Sequence, residues 1–430
     1  MSNTNLLDEF SWRGLIAQST DLKVLGQHLE SGKRTVYCGF DPTAASLHIG
    51  SLVPLLALKR FQSYGHHPII LVGGATGLIG DPSGRDLERL LHAEGTVVEW
   101  VESLKEQMSK FLDFQGANPA KMVDNLSWTR GMDVISFLRD IGKHFSINAM
   151  IQRDSVKSRL SRDGEGISYT EFSYMLLQSM DFLELARGSD CTIQIGGSDQ
   201  WGNIVSGVDL VRRSLGVEAH ALTLPLVTKS DGTKFGKTSS GAIWLDEFKT
   251  SPYSFYQYWL NVADEDVVSF LKYFTFLDAE VIHESSLRLK ESPGDRFSQK
   301  LLADNVTEIV HGKDAVESAK RITDVLFKGD VRDLSETDFL QLEMDGLEVF
   351  RIEPGAGLLA SMSEAGISKS RSDARNLVKS GGVSVNSISI NDETHQLETA
   401  GALYGKYHIV RRGKKNHKLL VIQKDEKQRI

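Results

Sequence analysis

The sequence has very little cysteine and no long apolar run. Its 430 residues include only two cysteines, Cys38 and Cys191, too few for a disulfide framework, which favours a reducing compartment. Neither belongs to a group of residues with zinc-ligand spacing, so no structural metal is expected. No stretch approaches the roughly 18–20 apolar residues of a membrane helix, and the first residues carry no secretory signal. We therefore expect a cytoplasmic protein with no membrane partner.

Acidic and basic residues are distributed unevenly along the chain. The net charge is −8, yet residues 355–430 carry 13 Lys and Arg against 7 Asp and Glu, a net of +6. The remaining 354 residues therefore carry −14, which is −8 less +6. A basic tail on an acidic body suggests a polyanionic partner for the tail, although a solvated charged surface gives the same counts. The length predicts two to four domains.

The order of apolar segments predicts an α/β protein. Short buried strands are predicted at 35–40, 68–74, 192–196 and 222–227, with helices at about 48–64, at 96–114 and after Asp199. Strands that alternate with helices form parallel sheets, and their ligands bind at the carboxyl ends of the strands. A helical region follows from 251 to 327, then an acidic segment read as a linker. The tail is predicted to have two short helices from Leu358 and strands from Val383.

Two motifs far apart in the chain have residues suited to a nucleoside triphosphate. The stretch DPTAASLHIG (41–50) places His48 at the predicted start of a helix, directly after a strand. The stretch KFGKT (234–238) places two lysines on a Gly-flanked polar loop. Helix N-termini, imidazole donors and mobile cations all stabilise phosphate oxygens. A lone histidine or a lysine pair is usually a surface feature, so the hypothesis depends on the two motifs together.

A third set of polar residues falls on one face of a predicted helix. Tyr174, Gln178 and Asp181 are spaced i, i+4 and i+7, which places them on the same side. Buried polar groups are costly unless they meet a ligand or one another. The pattern therefore predicts either a ligand pocket or a hydrogen-bonded cluster. The string GGSDQWGN (196–203) follows a strand and opens a helix, and its glycines would let a ligand approach the backbone.

Together these motifs resemble the two signature motifs of class I aminoacyl-tRNA synthetases, and their wording resembles the bacterial-type tyrosyl-tRNA synthetases. The resemblance runs from about residue 25 to 420. It implies an α/β fold with a Rossmann-like parallel-sheet catalytic domain, an α-helical domain and a small α+β S4-like domain. The implied boundaries are 1–248 for the catalytic domain (connective insertion about 122–190, KFGKT loop 228–240), 249–328 for the α-helical anticodon-side domain, 329–354 for the acidic linker and 355–430 for the S4-like RNA-binding domain.

The resemblance also implies roles for individual residues. The implied catalytic contacts to the triphosphate come from Thr43, His48, Arg85, Arg89, Lys234 and Lys237. The implied nucleotide contacts come from Gly39, Asp41, His48, Gly50, Ser51, Gly197, Asp199, Lys234 and Lys237. Tyr37 and Asp181 would bind the phenolic hydroxyl of tyrosine, Asp81, Tyr174 and Gln178 its ammonium group, and Gln200 would lie near its carboxylate. Ser51 departs from the family motif, which has a second histidine there.

The implied partners are ATP with Mg²⁺, L-tyrosine, tRNA(Tyr) and a second copy of the chain, docked through residues 133–148. The implied RNA contacts in the tail are Lys369, Arg371, Arg375, Arg411, Arg412, Lys414 and Lys415. Three other interpretations remain open from the sequence. They are a tryptophan-specific relative, a non-catalytic RNA-binding protein on a synthetase scaffold, and a nucleotidyltransferase that acts on a small metabolite.

Overall fold

The structure is a computed structural model that describes residues 5–83, 91–153, 156–157, 160, 166–232, 235–238, 241–413 and 416–423. The chain forms two compact units. The first contains Met1–Leu245 and Ala263–Pro293, and the second contains Asp246–Val262 and Gly294–Ile430. The α-helical segment that was predicted as one domain at 249–328 is divided between the two units, because Ala263–Pro293 belongs to the first.

Elements are numbered in chain order. The strands are β1 (Gln18–Ser19), β2 (Thr35–Phe40), β3 (His67–Val72), β4 (Lys121–Asp124), β5 (Cys191–Gly197), β6 (His220–Leu224), β7 (Lys237–Thr238), β8 (Gly241–Ala242), β9 (Val349–Ile352), β10 (Ala356–Gly357), β11 (Val383–Val385), β12 (Ile388–Ser389), β13 (Gln396–Leu397), β14 (Tyr407–Arg412) and β15 (Asn416–Ile422). The described α-helices are α1 (Leu6–Arg13), α2 (Leu22–Glu30), α3 (Leu52–Ser63), α4 (Thr76–Ile79), α5 (Glu94–Ser109), α6 (Leu126–Thr129), α7 (Val134–Ser136), α8 (Ile147–Ile151), α9 (Tyr169–Ser189), α10 (Trp201–Leu215), α11 (Pro252–Leu260), α12 (Asp264–Phe274), α13 (Ala279–Glu291), α14 (Phe297–His311), α15 (Lys313–Lys328), α16 (Glu336–Gln341), α17 (Leu358–Glu364) and α18 (Arg371–Lys379).

The first unit is built on a six-stranded sheet in the order β1-β6-β5-β2-β3-β4. Strands β2 to β6 run parallel, and β1 is antiparallel to β6. Their apolar residues are buried almost continuously, as expected for a parallel sheet covered by helices on both faces. From β2 the chain moves outward to β3 and β4 and then crosses to β5 and β6 on the other side. The strand order therefore reverses between β2 and β5, and such a reversal leaves a crevice at the carboxyl edge.

The helix α9 closes one side of this crevice. It begins at the N-cap Ser168, whose hydroxyl accepts a hydrogen bond from the backbone N–H of Glu171, and it ends at Asp190 in a left-handed conformation. Its apolar residues, among them Met180, Phe182 and Leu183, are fully buried in a cluster that includes Tyr37 and Ile69 of the sheet. Burial of this face fixes the rotation of α9 about its axis, so the polar side chains at its other buried positions face the crevice.

The second unit combines helices with a five-stranded sheet of order β12-β11-β14-β15-β9. Pairs in this sheet are antiparallel except β15 with β9, which is parallel. Helices α17 and α18 pack on one face of the sheet through buried Leu358, Met362, Ala374 and Val378. This arrangement agrees with the small α+β domain expected from the tail.

The acidic segment interpreted as a linker (329–354) is folded. It contains α16, a π-helical turn at Leu342–Gly346 and strand β9. An acidic residue of this segment stabilises its helix. Asp338 is fully buried, forms a capping box with Ser335, and accepts hydrogen bonds from Arg321 at 2.8 Å. A carboxylate with several charged and neutral donors can be buried without a large penalty.

Candidate active site

A cavity of about 420 Å³ lies at the carboxyl edge of the sheet, between β2 and β5. Its lining includes every residue assigned to tyrosine: Tyr37, Asp81, Tyr174, Gln178, Asp181 and Gln200. It also includes seven assigned to the nucleotide: Gly39, Asp41, His48, Gly50, Ser51, Gly197 and Asp199. Thr43 is exposed and is not among the lining residues. Arg85, Arg89 and Lys234 lie outside the described residues, and only the backbone of Lys237 is described, in β7.

One end of the cavity presents a phenol and a carboxylate that are both buried. The Tyr37 side chain is 1% exposed, and its hydroxyl has no hydrogen-bond partner among the residues that the structure describes. Asp181 accepts hydrogen bonds from Asn125 Nδ2 at 3.0 Å and from Trp128 Nε1 at 2.9 Å. Burial raises the pKa of Asp181 to about 7, although these two donors act in the opposite direction. A hydroxyl that can both donate and accept would satisfy this pair.

The residues that hold Asp181 were missed by sequence reasoning. Asn125 is fully buried and donates both to Asp181 and to the hydroxyl of Thr76, 3.0 Å from each. Thr76 in turn donates to Asp41 Oδ1 at 2.6 Å. A usable signal was present, because Asn125 directly follows strand β4 and the carboxyl ends of parallel strands meet at one edge.

The middle of the cavity is rich in hydrogen-bond acceptors. Tyr174 donates its hydroxyl proton to Asp41 Oδ2 at 2.7 Å, and Gln200 Nε2 donates to Asp81 Oδ2 at 2.6 Å. Gln178 Oε1 accepts from Asn203 Nδ2 at 3.0 Å, which orients its amide. Burial, followed by the charge of Asp41, raises the pKa of Tyr174 well above its usual value, so the phenol stays neutral. Clustered carboxylates of this kind suit a cationic group such as an ammonium.

The other end of the cavity carries the histidine motif. His48 caps a short turn, Ile49–Ser51, and its Nδ1 accepts the backbone N–H of Gly50 at 3.0 Å. An imidazole that accepts through Nδ1 carries its proton on Nε2, so Nε2 is a hydrogen-bond donor. Gly50 must lack a side chain because a Cβ there would lie 2.6 Å from His48 Cε1.

The backbone of Ile243, in the first unit, links the two signature motifs. Ile243 donates its backbone N–H to the carbonyl of Gly236, and its carbonyl accepts the N–H of Ile49, both at 3.0 Å. Gly236 has a φ of 77°, and a Cβ there would lie 3.0 Å from Ile49 Cγ1. The motifs separated by almost 190 residues are therefore adjacent in the fold, as the sequence interpretation required.

The second unit gathers most of the basic residues assigned to RNA on one side. Lys369, Arg371 and Arg375 are exposed at and around the first turn of α18. Arg412 Nη1 donates to the Ile367 carbonyl at 2.6 Å and so lies on the same side of the sheet. Arg411 is its neighbour in β14 and points to the opposite face, since side chains alternate along a strand. Lys414 and Lys415 lie outside the described residues.

Comparison with known proteins places these features in a family. Residues 30–328 match the family described as tRNA synthetases class I (W and Y), and residues 338–420 match the tyrosine–tRNA ligase SYY-like C-terminal domain. The tyrosine–tRNA ligase of Chromobacterium violaceum is 52% identical over 421 residues, which cover 98% of this chain and 99% of the relative. The tyrosine–tRNA ligase of Aliivibrio fischeri is 53% identical over 424 residues, which cover 98% of this chain and 100% of the relative.

Solved structures show the same similarity. A C-terminally truncated mitochondrial tyrosyl-tRNA synthetase from Aspergillus nidulans superposes with a TM-score of 0.69 at 30% identity, over 76% of this chain and 95% of that one. A class I aminoacyl-tRNA synthetase fold and an acceptor-rich crevice beside a histidine motif thus define the class of protein. The chain belongs, within that class, to the tyrosyl-tRNA synthetase family. None of the described helices has both the length and the apolar character needed to cross a bilayer.

Proposed function

We propose that the protein joins L-tyrosine to ATP, releasing pyrophosphate, and then transfers the tyrosyl group of the adenylate to the 3′ end of tRNA(Tyr). The observation that carries this proposal is the Tyr37 hydroxyl, which is buried in the same cavity as Asp181 and has no hydrogen-bond partner within the described part of the chain. A substrate phenol would satisfy both groups. Phenylalanine would leave them unpaired, and rejection of phenylalanine by tyrosyl-tRNA synthetases is the standard example of such discrimination.

The rest of the cavity suits the remaining parts of tyrosyl-adenylate. Asp81, Gln178 and the Tyr174 oxygen supply acceptors for the ammonium group. Gln200 lies beside Asp81, where it can orient the carboxylate. At the far end, His48 Nε2 can donate to a phosphate oxygen, and Asp199 can accept from ribose hydroxyls. The cavity therefore has groups suited to both reactants.

The chemistry needs positioning and charge stabilisation more than acid or base catalysis. A tyrosine carboxylate oxygen forms a bond to the α-phosphorus of ATP, and the bond from that phosphorus to the bridging oxygen of pyrophosphate breaks. Because both reactants are already bound in one site, the chemical step does not include the entropic cost of bringing them together. Hydrogen-bond donors such as His48 Nε2, and the lysines of the KFGKT loop, stabilise the negative charge that moves onto pyrophosphate. A hydroxyl at the tRNA 3′ end then attacks the tyrosyl carbonyl, and AMP leaves.

Magnesium is proposed only as a companion of the triphosphate. The carboxylates nearest the cavity are already engaged by neighbouring side chains: Asp41 by Thr76 and Tyr174, and Asp81 by Gln200. Among the described residues, no group of three or more His, Cys, Asp or Glu side chains could hold a metal ion. The residues do not fit a metal held by the protein, so no step above passes through one.

A tRNA partner for the second unit is supported by its basic face. Lys369, Arg371, Arg375 and Arg412 lie on one side of a small domain, whereas the body of the chain is acidic. A cluster of cations at a helix start suits the phosphates of structured RNA.

A second copy of the chain is proposed to cover the segment 133–148. Val134 and Ile135 are 70% and 69% exposed, and Leu138 and Ile147 are 47% and 56% exposed. Large apolar side chains exposed together mark an interaction surface. The test is the molar mass by sedimentation equilibrium: Ile135→Asp should give monomers, while Leu287→Asp, at a side chain 46% exposed on α13, should leave the mass unchanged. A monomeric wild type would contradict the proposal.

ATP–pyrophosphate exchange tests the catalytic proposal directly. The assay is run separately with tyrosine, phenylalanine and tryptophan. Exchange with tyrosine alone is expected. Exchange with tryptophan alone would support the tryptophan-specific interpretation instead. Folded protein that exchanges with none of the three would refute the catalytic proposal and support a non-catalytic RNA-binding protein.

A further inference from the structure

Helix α12 contacts the signature loop that contains KFGKT, although the sequence placed this helix in a different domain. It belongs to the first unit together with the loop. Two described points of the loop region touch it: Ser230 before the lysines and Phe235 between them. Neither Ser230 nor Phe235 carries any of the roles assigned above.

The first contact is a hydrogen bond from the backbone to a buried carboxylate. The N–H of Ser230 donates to both oxygens of Asp266, at 3.0 Å to Oδ1 and 3.3 Å to Oδ2. Asp266 is 8% exposed and occupies the third position of α12, where an acid commonly turns back to bond the N-cap residue. Here it bonds a distant segment, 36 residues earlier in the chain. A buried carboxylate with such a partner fixes that backbone more firmly than an exposed pair.

The second contact is aromatic. The Phe235 ring stacks on Phe274, with centroids 5.2 Å apart and planes 18° apart, and meets Phe270 edge-on, also at 5.2 Å. Phe270 and Phe274 are 2% and 0% exposed. Aromatic pairs of this geometry are stabilised beyond the burial of their apolar area. Phe235 is therefore held by the core of the unit, even though it lies in a polar, Gly-rich sequence.

The helix itself is fixed at its far end. The Arg13 guanidinium donates to the carbonyls of Lys272, Thr275 and Leu277, at 2.7 to 3.2 Å. Arg60 Nη2 donates to the Thr275 carbonyl at 2.6 Å. Both arginines are 2% exposed, and cations at a helix C-terminus are favourable. Helix α12 is thus a rigid support, and displacement of the loop requires that its own contacts with the helix break.

We propose that Asp266 and Phe235 are positioning residues that hold Ser230 and the start of the described KFGKT segment on α12, and that the loop needs these contacts to act on the leaving pyrophosphate. The inference rests on the proposed function and deepens it. It predicts an effect on tyrosine activation alone. Transfer of tyrosine from a preformed adenylate releases no pyrophosphate, so it does not need the lysines at that position.

The experiment compares three variants of the full-length chain. Asp266→Ala removes the acceptor, Asp266→Asn keeps one oxygen that can accept from Ser230, and Glu265→Ala removes an exposed acid from the same helix turn as a matched control. For Asp266→Ala we expect kcat of pyrophosphate exchange to fall about 10- to 100-fold, because small misplacements of catalytic groups have effects of this size. Its KM for tyrosine and its single-turnover transfer rate to tRNA should stay within about twofold of wild type, as should all the parameters of Glu265→Ala. Asp266→Asn should recover most of the loss.

A second measurement does not depend on activity. Hydrogen exchange of the peptide that contains Ser230 should become faster in Asp266→Ala and stay unchanged in Glu265→Ala. Equal losses in activation and transfer would indicate general structural damage and overturn the positioning role, as would an exchange kcat equal to that of Glu265→Ala. If the wild type showed no pyrophosphate exchange, the proposed function would fail, and unaltered hydrogen exchange at Ser230 would separately refute the anchor.

Discussion

The Tyr174 hydroxyl lies 2.7 Å from Asp41 Oδ2 and donates its proton to that carboxylate. This direction matters because it leaves the lone pairs of the Tyr174 oxygen facing the cavity. Burial, and then the charge of Asp41, raise the pKa of Tyr174 well above its usual value, so the proton remains on the phenol. A residue that would otherwise offer the substrate a donor thus offers an acceptor, which is what an ammonium group requires.

Tyr37→Phe removes a hydroxyl for which the described ranges of the chain supply no hydrogen-bond partner. We expect the free energy of unfolding to change by less than about 1 kcal/mol, because no protein hydrogen bond is lost. Yet kcat/KM for tyrosine should fall roughly 2- to 12-fold, the range for one neutral hydrogen bond, while kcat/KM for phenylalanine should not fall. Urea denaturation and pyrophosphate exchange with both amino acids measure these quantities. An unchanged ratio between the two amino acids would contradict the assignment of Tyr37.

Asp181→Ala should have a larger effect on the same measurement. The change removes a charged acceptor and leaves the Asn125 and Trp128 donors without it. Hydrogen bonds to charged groups contribute about 1.5–3 kcal/mol, so kcat/KM for tyrosine should fall roughly 10- to 150-fold. The KM for ATP serves as the internal control and should change less than about threefold. Equal losses for both substrates would place Asp181 outside the tyrosine site.

The pH dependence of tyrosine binding follows from the same carboxylate. Burial raises the pKa of Asp181 to about 7, so between about pH 4 and pH 7 the folded protein holds a proton there. The ionised form is the one that accepts from Asn125, Trp128 and a substrate phenol. The KM for tyrosine should therefore rise as the pH falls through 7, by about tenfold at pH 6 relative to the plateau above pH 8. A KM that stays level over this range, with the KM for ATP as a reference, would contradict this.

Gly50→Ala tests the orientation of the histidine. The new Cβ would start 2.6 Å from His48 Cε1, so the imidazole must rotate and lose its bond from the Gly50 N–H. We expect kcat for tyrosine activation to fall about 100- to 1000-fold, the range for loss of one transition-state donor. The KM for tyrosine should not change. Gly95→Ala is the matched control, since a Cβ there meets nothing within 4 Å; equal activities of the two variants would remove His48 orientation from the mechanism.

The sequence predicted the parts of the site that are local in the chain. The strand Thr35–Phe40 was predicted with its observed bounds, and the spacing of Tyr174, Gln178 and Asp181 correctly placed them on one inward face. The parts that it did not predict depend on contacts between distant segments. Asn125 reaches Asp181 across 56 positions, and the strand that it directly follows, β4, was not among the strands predicted from the sequence. Such residues become visible only when the sheet aligns the ends of its strands.

The division of the predicted helical segment between two units has a related physical reason. The helical pattern from 251 to 327 is continuous in sequence. Amphipathic periodicity shows that one face of each helix is buried, but it does not show which element covers that face. Helix α12 packs against α1 and α3. These two helices contribute Arg13 and Arg60, whose guanidinium groups bind the Thr275 carbonyl directly after the end of α12. Arginines are usually exposed, so their position as caps of a helix in the same unit could not be inferred from the pattern.

Charge reversal on α18 tests the RNA partner without disturbing the fold. A truncation after Glu353 would leave β9 without its neighbour β15, so point variants are preferable. In Arg371→Glu the change lies on the exposed helix side of the second unit, whereas Arg411 points to the opposite face of the sheet and provides the matched control, Arg411→Glu. If phosphates bind the helix side, Arg371→Glu should lower kcat/KM for tRNA charging about 5- to 20-fold at 100 mM salt and reduce the salt dependence, while pyrophosphate exchange stays unchanged.

Arg411→Glu should charge tRNA at nearly the wild-type rate. Equal losses in the two variants would indicate a general effect of negative charge, and normal charging by Arg371→Glu would exclude this face as the tRNA contact.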